Sequence, residues 1–439
     1  MKIAYVISET YSISKYNGIR MQAEIWASEL IRQGETVIKV NPWDYHNWGE
    51  YDIVHIFGPC EFILNFAFGV FQQMPCIVFS PIIDTVQSIP KYKIASLWGC
   101  SKLRLASPNY TIRQARKYIS HWFARSEYEL RYIHKAYDVP LDHISIVPLS
   151  FRIEPGSFNP VRKNFCLHVS RLTDRRKNVI RLIEAAIKYK FELVLAGSIS
   201  SEKDFFKMKT LIDNTDNITY LGRLSDERLL QLYHEAKVFA LPSINEGVGM
   251  VAVEAAACGC DIVITDKGGP KEYYNGMAKI INPNSVEEIG TSILSFLSGT
   301  TYQPQLRKYV LSCYNLSECV KKMRHSYMNI LEKKMMKSQS KITINSCFLS
   351  LGAVLALIGM QLNAALMNVG LGDNYVSLIM SISVLFLISF KNISYSLSFP
   401  PKVLPLLFLL VTFLVYFPFS DNLNQKFFNY ILYTNMFSS

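Results

Sequence analysis

Paired cysteines are the first thing missing. Nine cysteines are spread over 439 residues, and only Cys258 and Cys260 stand close together. A C-x-C with no second cysteine or histidine pair nearby is poor zinc chemistry, so these thiols read as reduced and buried. No D-x-D motif lies in a favourable place. A secretory pattern is missing as well. Lys2 is followed only by Ile3–Ile7 before Ser8 and Glu9, far short of an apolar h-region. The globular part is therefore expected in the cytoplasm. Nucleic-acid modules are absent too. The net charge of +11 instead favours small anionic partners such as nucleoside diphosphates, or acidic lipid headgroups.

Acids are locally absent between Lys91 and Ser126. These 36 residues hold eight lysines and arginines and no aspartate or glutamate. Tyr92, Trp98, Tyr110, Tyr118, Trp122 and Phe123 are interleaved with them. Basic side chains mixed with tryptophan and tyrosine suit an anionic membrane surface. A solvated face that merely lacks acids explains the same composition.

What is present is a repeated alternation of buried strand and helix. Lys2–Ser8 reads as a first strand, a polar loop follows, and Gly18 begins a helix that ends near Arg32 and Gly34. Thr36–Val40 and Asp52–Phe57 are the next strands. This opening predicts a doubly wound sheet, with ligands at the carboxyl ends of its strands. His55 sits inside a strand and reads as a hydrogen-bonded core residue. A second such unit starts at Phe165–Ser170, followed by Arg171 and, six residues on, Lys177 at a helix N-terminus. Two cations beside backbone N–H groups suit a diphosphate. Arg175 and Arg176 read as solvent-facing charges.

The densest signal runs from Val238 to Thr265: a strand ended by Pro242 and Ser243, a loop with Gly247 and Gly249, an alanine-rich helix, Gly259 as its cap, and a further strand. Glu246 stands on the loop and Glu254 in the helix. A folded loop lets both carboxylates line one cleft at the helix N-terminus, where a diphosphate is also favoured.

This is an E-x7-E motif in its full setting, and it closely resembles the family-4 glycosyltransferases of the GT-B fold. Val248 stands where the family usually has an aromatic residue, and Asp261 where proline is common. The resemblance covers about residues 1–335 and implies an α/β GT-B fold, two Rossmann-like domains facing a cleft. It implies an enzyme that moves a sugar from a nucleoside diphosphate sugar to a lipid-linked or polysaccharide acceptor in cell-surface glycan synthesis, with retention and without a bound metal or other cofactor. By resemblance, Glu246 contacts the donor sugar, Glu254 the ribose, and Arg171 and Lys177 the departing diphosphate. Gly18, Gly247, Val248, Gly249 and Gly222 border the donor, although Gly18 is equally readable as a plain N-cap glycine. Relatives carry a histidine after the fourth strand. Here that place holds Ser80 and Asp84, which makes Asp84 the candidate for contacting the acceptor.

The implied domains are 1–155 on the acceptor side, 164–315 for the nucleotide sugar, a crossover helix at 316–335, and a tail at 345–439. Apolar segments near Cys347–Met367, Tyr375–Phe390 and Val403–Phe419 follow a lysine-rich joint and predict about three transmembrane helices. The expected location is the inner, or plasma, membrane with the catalytic domains on its cytoplasmic face. Two other readings stay open: a GT-B epimerase or phosphorylase, and a membrane-anchored sensor or scaffold without catalysis.

Overall fold

Short, mostly apolar runs, buried on both faces in the central strands, build two parallel sheets. In the first, β1 (Lys2–Ile7), β2 (Thr36–Lys39), β3 (Ile53–Phe57), β4 (Cys76–Ser80), β5 (His121–Ala124) and β6 (Ile144–Ile146) lie in the order β2-β1-β3-β4-β5-β6. In the second, β7 (Lys163–Val169), β8 (Leu193–Ala196), β9 (Ile218–Tyr220), β10 (Ala236–Leu241), β11 (Asp261–Thr265) and β12 (Lys279–Ile281) lie in the order β9-β8-β7-β10-β11-β12. β3 and β4 are buried along their whole length, as central strands covered on both sides must be. The computed structural model describes residues 1–336 except 8–16, 42–43, 60–61, 74, 101–104, 158–160 and 300–304.

Helices cover the sheets, and several begin on side-chain caps. The first domain contains α1 (Gly18–Arg32), α2 (Ile63–Phe71), α3 (Ile89–Leu97), α4 (Pro108–Ala115) and α5 (Glu127–Tyr137). Asn17 caps α1 by accepting from the Ile19 N–H, and Ser126 caps α5 by accepting from Glu129 N–H. Gly18 is thus the first helical residue rather than the cap. The loop before it lies outside the described residues. In the second domain, α6 (Val179–Tyr189) follows β7, α7 (Glu202–Asp213) follows β8, and α8 (Asp226–Glu235) follows β9. The helix α9 (Met250–Cys258) runs between two left-handed glycines, Gly249 and Gly259.

Residues 316–336 are helical and return to the first sheet. The Tyr327 hydroxyl lies 2.6 Å from His55 Nδ1, and Arg324 pairs with the buried Glu35. His55 completes its bonding with Ser80 Oγ at 2.8 Å, and burial holds its pKa well below the usual histidine value. It is a neutral core residue, as its place in the strand predicts.

The basic and aromatic stretch is not one continuous surface. Tyr92, Trp122 and Phe123 are core residues, and Arg113 is buried against Asp138. Lys93 also pairs with Asp138, at 2.9 Å. The stretch crosses α3, α4 and β5, and each of these elements turns one side inward. Trp98, 81% exposed, and Lys91 do face solvent.

The chain divides into two compact units, Met1–Lys334 and Met335–Ser439. The three apolar segments expected to cross a membrane lie outside the described residues. Among the described residues, no helix is long and apolar enough to cross a membrane.

Candidate functional site

The strand ends of the two sheets meet around the loop that carries Glu246. Its backbone forms an isolated parallel bridge with Gly268, in the loop after β11. Glu246 Oε2 accepts from Lys177 Nζ at 2.5 Å and from Ser243 Oγ at 3.1 Å. The lysine and glutamate side chains are 18% and 13% exposed, so solvent screens this pair far less than a surface one. Lys177 ends a tight turn, Arg175–Lys177, just before α6. The two charges therefore meet because β7 and β10 are neighbours in the sheet.

Arg171 does not join them. Its guanidinium is 63% exposed and lies 3.5 Å from Asp174, three residues along. The cationic fork expected from spacing is thus split, with Lys177 on the glutamate and Arg171 at the rim. Arg176 is closer to the cleft than its sequence reading suggests. It bonds Asp174 at 2.7 Å, and that hydrogen bond raises its pKa, with Glu246 and Asp84 adding to the effect. Arg175, 89% exposed, faces solvent as expected.

Glu254 is not in contact with Glu246. It is 2% exposed, accepts from the Tyr233 hydroxyl at 3.1 Å, and lies 3.4 Å from Arg152 Nε. Burial raises its pKa, and Arg152 works against that shift. Arg152 in turn reaches Asp226 at 2.5 Å. The Val248 side chain is 3% exposed and belongs to the core, so only its backbone can meet a ligand. The physical reason is direct: a loop that turns from β10 into α9 has an inner side, and the branched residue takes it. Gly222 has φ of +70° and its carbonyl accepts from Gly197 N–H at 2.8 Å, at the ends of β8 and β9. A Cβ at Gly197 would sit 1.7 Å from the Ser170 carbonyl oxygen, so the backbone there passes against the residue that precedes Arg171.

Asp84 comes to the same place from the first domain. A Cβ on Gly247 would meet Asp84 Oδ1 at 2.0 Å and Arg125 Nη1 at 2.9 Å, so only glycine lets the two domains close here. Arg125 bonds Asp84 at 2.7 Å and Glu129 at 2.8 Å. Burial alone would lower its pKa, but the two carboxylates more than offset this and raise it. The Tyr273 hydroxyl from the second domain donates to the Arg125 carbonyl at 2.7 Å and ties the domains together. Arg125 and Arg152 escaped the sequence reading. The available signal was position: Arg125 directly follows the carboxyl end of β5, where ligands of such sheets gather.

Two doubly wound parallel sheets whose strand ends face each other define a two-domain α/β, GT-B-like fold. Residues 151–311 match the family described as glycosyl transferases group 1. An uncharacterized glycosyltransferase of Methanocaldococcus jannaschii is 32% identical over 165 residues, covering 36% of this chain and 46% of that protein. The O-antigen chain mannosyltransferase B of Escherichia coli is 26% identical over 200 residues, covering 41% of this chain and 51% of its own. The chain thus spans about half the length of the curated relatives it matches. Among solved structures, a sucrose-phosphate synthase from Thermosynechococcus elongatus superposes with a TM-score of 0.60 at 16% identity, over 76% of this chain and 99% of that one. Anabaena HepE in complex with UDP and glucose gives 0.59 at 15% identity, over 75% and 100%.

Proposed function

We propose that the protein transfers a sugar from a nucleoside diphosphate sugar to a lipid-linked or polysaccharide acceptor in cell-surface glycan synthesis, with retention at the anomeric carbon. The observation that carries this reading is the Lys177–Glu246 pair. It stands within the matched family segment, little exposed, at strand ends that face the other domain. A diphosphate gains negative charge as its bond to the sugar breaks, and a nearby ammonium stabilises that charge more in the transition state than in the ground state. Lys177 is placed for this role and Arg171 supplies a second cation at the rim. Glu246 orients the sugar hydroxyls, and Glu254 receives the ribose, with Gly18, Gly222 and the Gly247–Gly249 backbone bordering the donor.

The acceptor hydroxyl oxygen bonds to the anomeric carbon as the bond from that carbon to the diphosphate oxygen breaks. The electron pair leaves with the diphosphate, which takes the hydroxyl proton. Asp84, held by Arg125, orients the acceptor. The O-antigen mannosyltransferase among the relatives and the UDP-bound neighbour support a nucleotide sugar and a glycan acceptor. No metal or other cofactor is assigned a role. The working location is the cytoplasmic face of the inner membrane, anchored by the apolar tail.

The test is to incubate the purified chain with a panel of nucleotide sugars and to measure nucleoside diphosphate release with and without membrane lipid extract. Release that rises with lipid extract supports the reading. No release from any donor, with or without extract, overturns it.

A further inference from the structure

Arg152 lies in the segment that follows β6, between two carboxylates of the second domain. Phe151 and Ile153 on either side of it are core residues, so the backbone that carries it is fixed. Its Nη1 donates to Asp226 Oδ2 at 2.5 Å, a short bond. Glu254 Oε1 is held far more loosely. The Arg152 backbone N–H and Nε both stand 3.4 Å from it, near the limit of a hydrogen bond. The other oxygen, Oε2, accepts from the Tyr233 hydroxyl at 3.1 Å. Exposure rises along this series, from 2% for the Glu254 side chain through 21% for Arg152 to 60% for Asp226. The series stands on the ligand side of the sheet. α8 begins at Asp226 after β9, and α9 begins after β10, so both helix N-termini lie at the carboxyl ends of strands. Glu254 is one turn into α9, and helical side chains lean toward the N-terminus.

A guanidinium offers only donors and a carboxylate only acceptors, whereas a hydroxyl is both. A hydroxyl that enters between Nε and Oε1 therefore exchanges one weak 3.4 Å contact for two bonds, accepting from Arg152 and donating to Glu254. Asp226 holds the guanidinium from its far side, which keeps the ion pair from closing. Burial raises the Glu254 pKa and Arg152 works against that shift, so the arginine also preserves the charge that strengthens the accepted bond. We propose that Arg152 is a second ribose-binding residue, and that Arg152 and Glu254 form a slot, held open by Asp226, for one hydroxyl of the donor's ribose. The slot selects ribonucleotides, because an analogue without that hydroxyl leaves both charged groups without the bonds that offset their burial. This inference rests on the reading that Glu254 receives the ribose.

The test is a calorimetric titration of the full chain in nonionic detergent with UDP and GDP, and with the 2′-deoxy and 3′-deoxy forms of each. The wild type is expected to bind the better of the two nucleotides at least about tenfold more tightly than one of its deoxy forms. Arg152→Met removes the guanidinium and is expected to bring that ratio below about threefold by weakening the parent nucleotide, with Arg152→Lys between the two. Asp226→Asn, at an exposed position, lets the guanidinium close on Glu254. It is expected to lower the ratio about threefold or more with an unchanged thermal midpoint, so the test stands even if Arg152→Met fails to fold. A wild-type ratio kept in all the variants overturns this inference and leaves Glu254 on the ribose. Equal weakening of the parent and deoxy forms makes Arg152 a structural residue, with the same consequence. Equal binding of the parent and both deoxy forms by the wild type takes the ribose away from Glu254 as well. Binding of neither UDP nor GDP sinks the donor reading and this inference together.

Discussion

Replacing Glu246 by glutamine should separate binding from turnover. In the structure Glu246 holds the Lys177 ammonium at 2.5 Å. A phosphate oxygen that bonds the same ammonium then lies about 5–6 Å from the carboxylate. Two unit negative charges at that distance repel by about 3 kcal/mol at an effective dielectric of about 20. Salt and water in an open cleft reduce this by roughly half, leaving about 1.5 kcal/mol, or roughly tenfold in affinity. Glu246→Gln keeps the shape and the bond from Ser243 but removes the charge. It should therefore bind a nucleoside diphosphate about tenfold more tightly, because the diphosphate no longer competes with a carboxylate for Lys177. Turnover should nevertheless fall on the order of 100-fold, because the charge-assisted contact to the donor sugar is lost. Calorimetric titration with UDP and GDP measures the first quantity, and nucleoside diphosphate release from the best donor measures the second. If affinity and turnover fell together by the same factor, Glu246 would be a diphosphate-site structural residue and the reasoning would be wrong.

Arg171→Ala should lower kcat on the order of 100-fold while changing stability by less than about 0.5 kcal/mol, since its guanidinium is exposed and weakly paired. A change in KM alone would mean uniform ground-state binding instead. Glu254→Gln should weaken nucleotide binding with little effect on kcat at saturating donor; unchanged nucleotide affinity in a titration would remove Glu254 from the donor site. Arg125→Met leaves Glu129 and Asp84 without their cation and should cost about 3–5 kcal/mol in urea denaturation, with Arg125→Lys less damaging. Asp261 is pushed up to about 6 by burial, from an ordinary value of 3.8. Its proton is bound more tightly in the folded chain, so its contribution to stability is full below pH 3.8 and disappears as the pH rises to about 6. Relative to wild type, Asp261→Asn should gain up to about 2 kcal/mol across that window, after a discount for partial exposure. Parallel denaturation curves at pH 4 and pH 7 would refute this.

The local pattern carried much of the architecture. Strands such as Ile53–Phe57 and Cys76–Ser80 are apolar but for His55 and Ser80, which bond each other, because they are covered on both faces, and that composition is visible without coordinates. The turn into α9 is legible for the same reason. Backbone conformation at Gly249 and Gly259, with φ of 74° and 96°, is a property of the residue itself. His55 as a neutral core residue also followed from its neighbours along the strand. The basic and aromatic stretch misled because composition averages over elements. Trp122 and Phe123 lie in a strand and Trp98 at a helix end, and only their packing separates core from surface.

The sequence by itself determined what depends on neighbours within a few residues: the periods of burial, the caps, and the glycine-bearing loop with its two glutamates. Partnership was decided only by the tertiary structure. Lys177 and Glu246 are 69 residues apart, and Arg152 and Glu254 are 102 apart. Nothing in a local stretch says which of Arg171, Arg175, Arg176 and Lys177 will take a glutamate. The order of strands β7 and β10 settles it, and the other three charges fall to Asp174, Asp204 or solvent. Nor can spacing show that a strand-end arginine at position 125 will be buried between two carboxylates, with Asp84 beside Gly247. A side chain's charge is written in the sequence, but its electrostatic energy depends on which charges and how much water surround it, and only packing sets both.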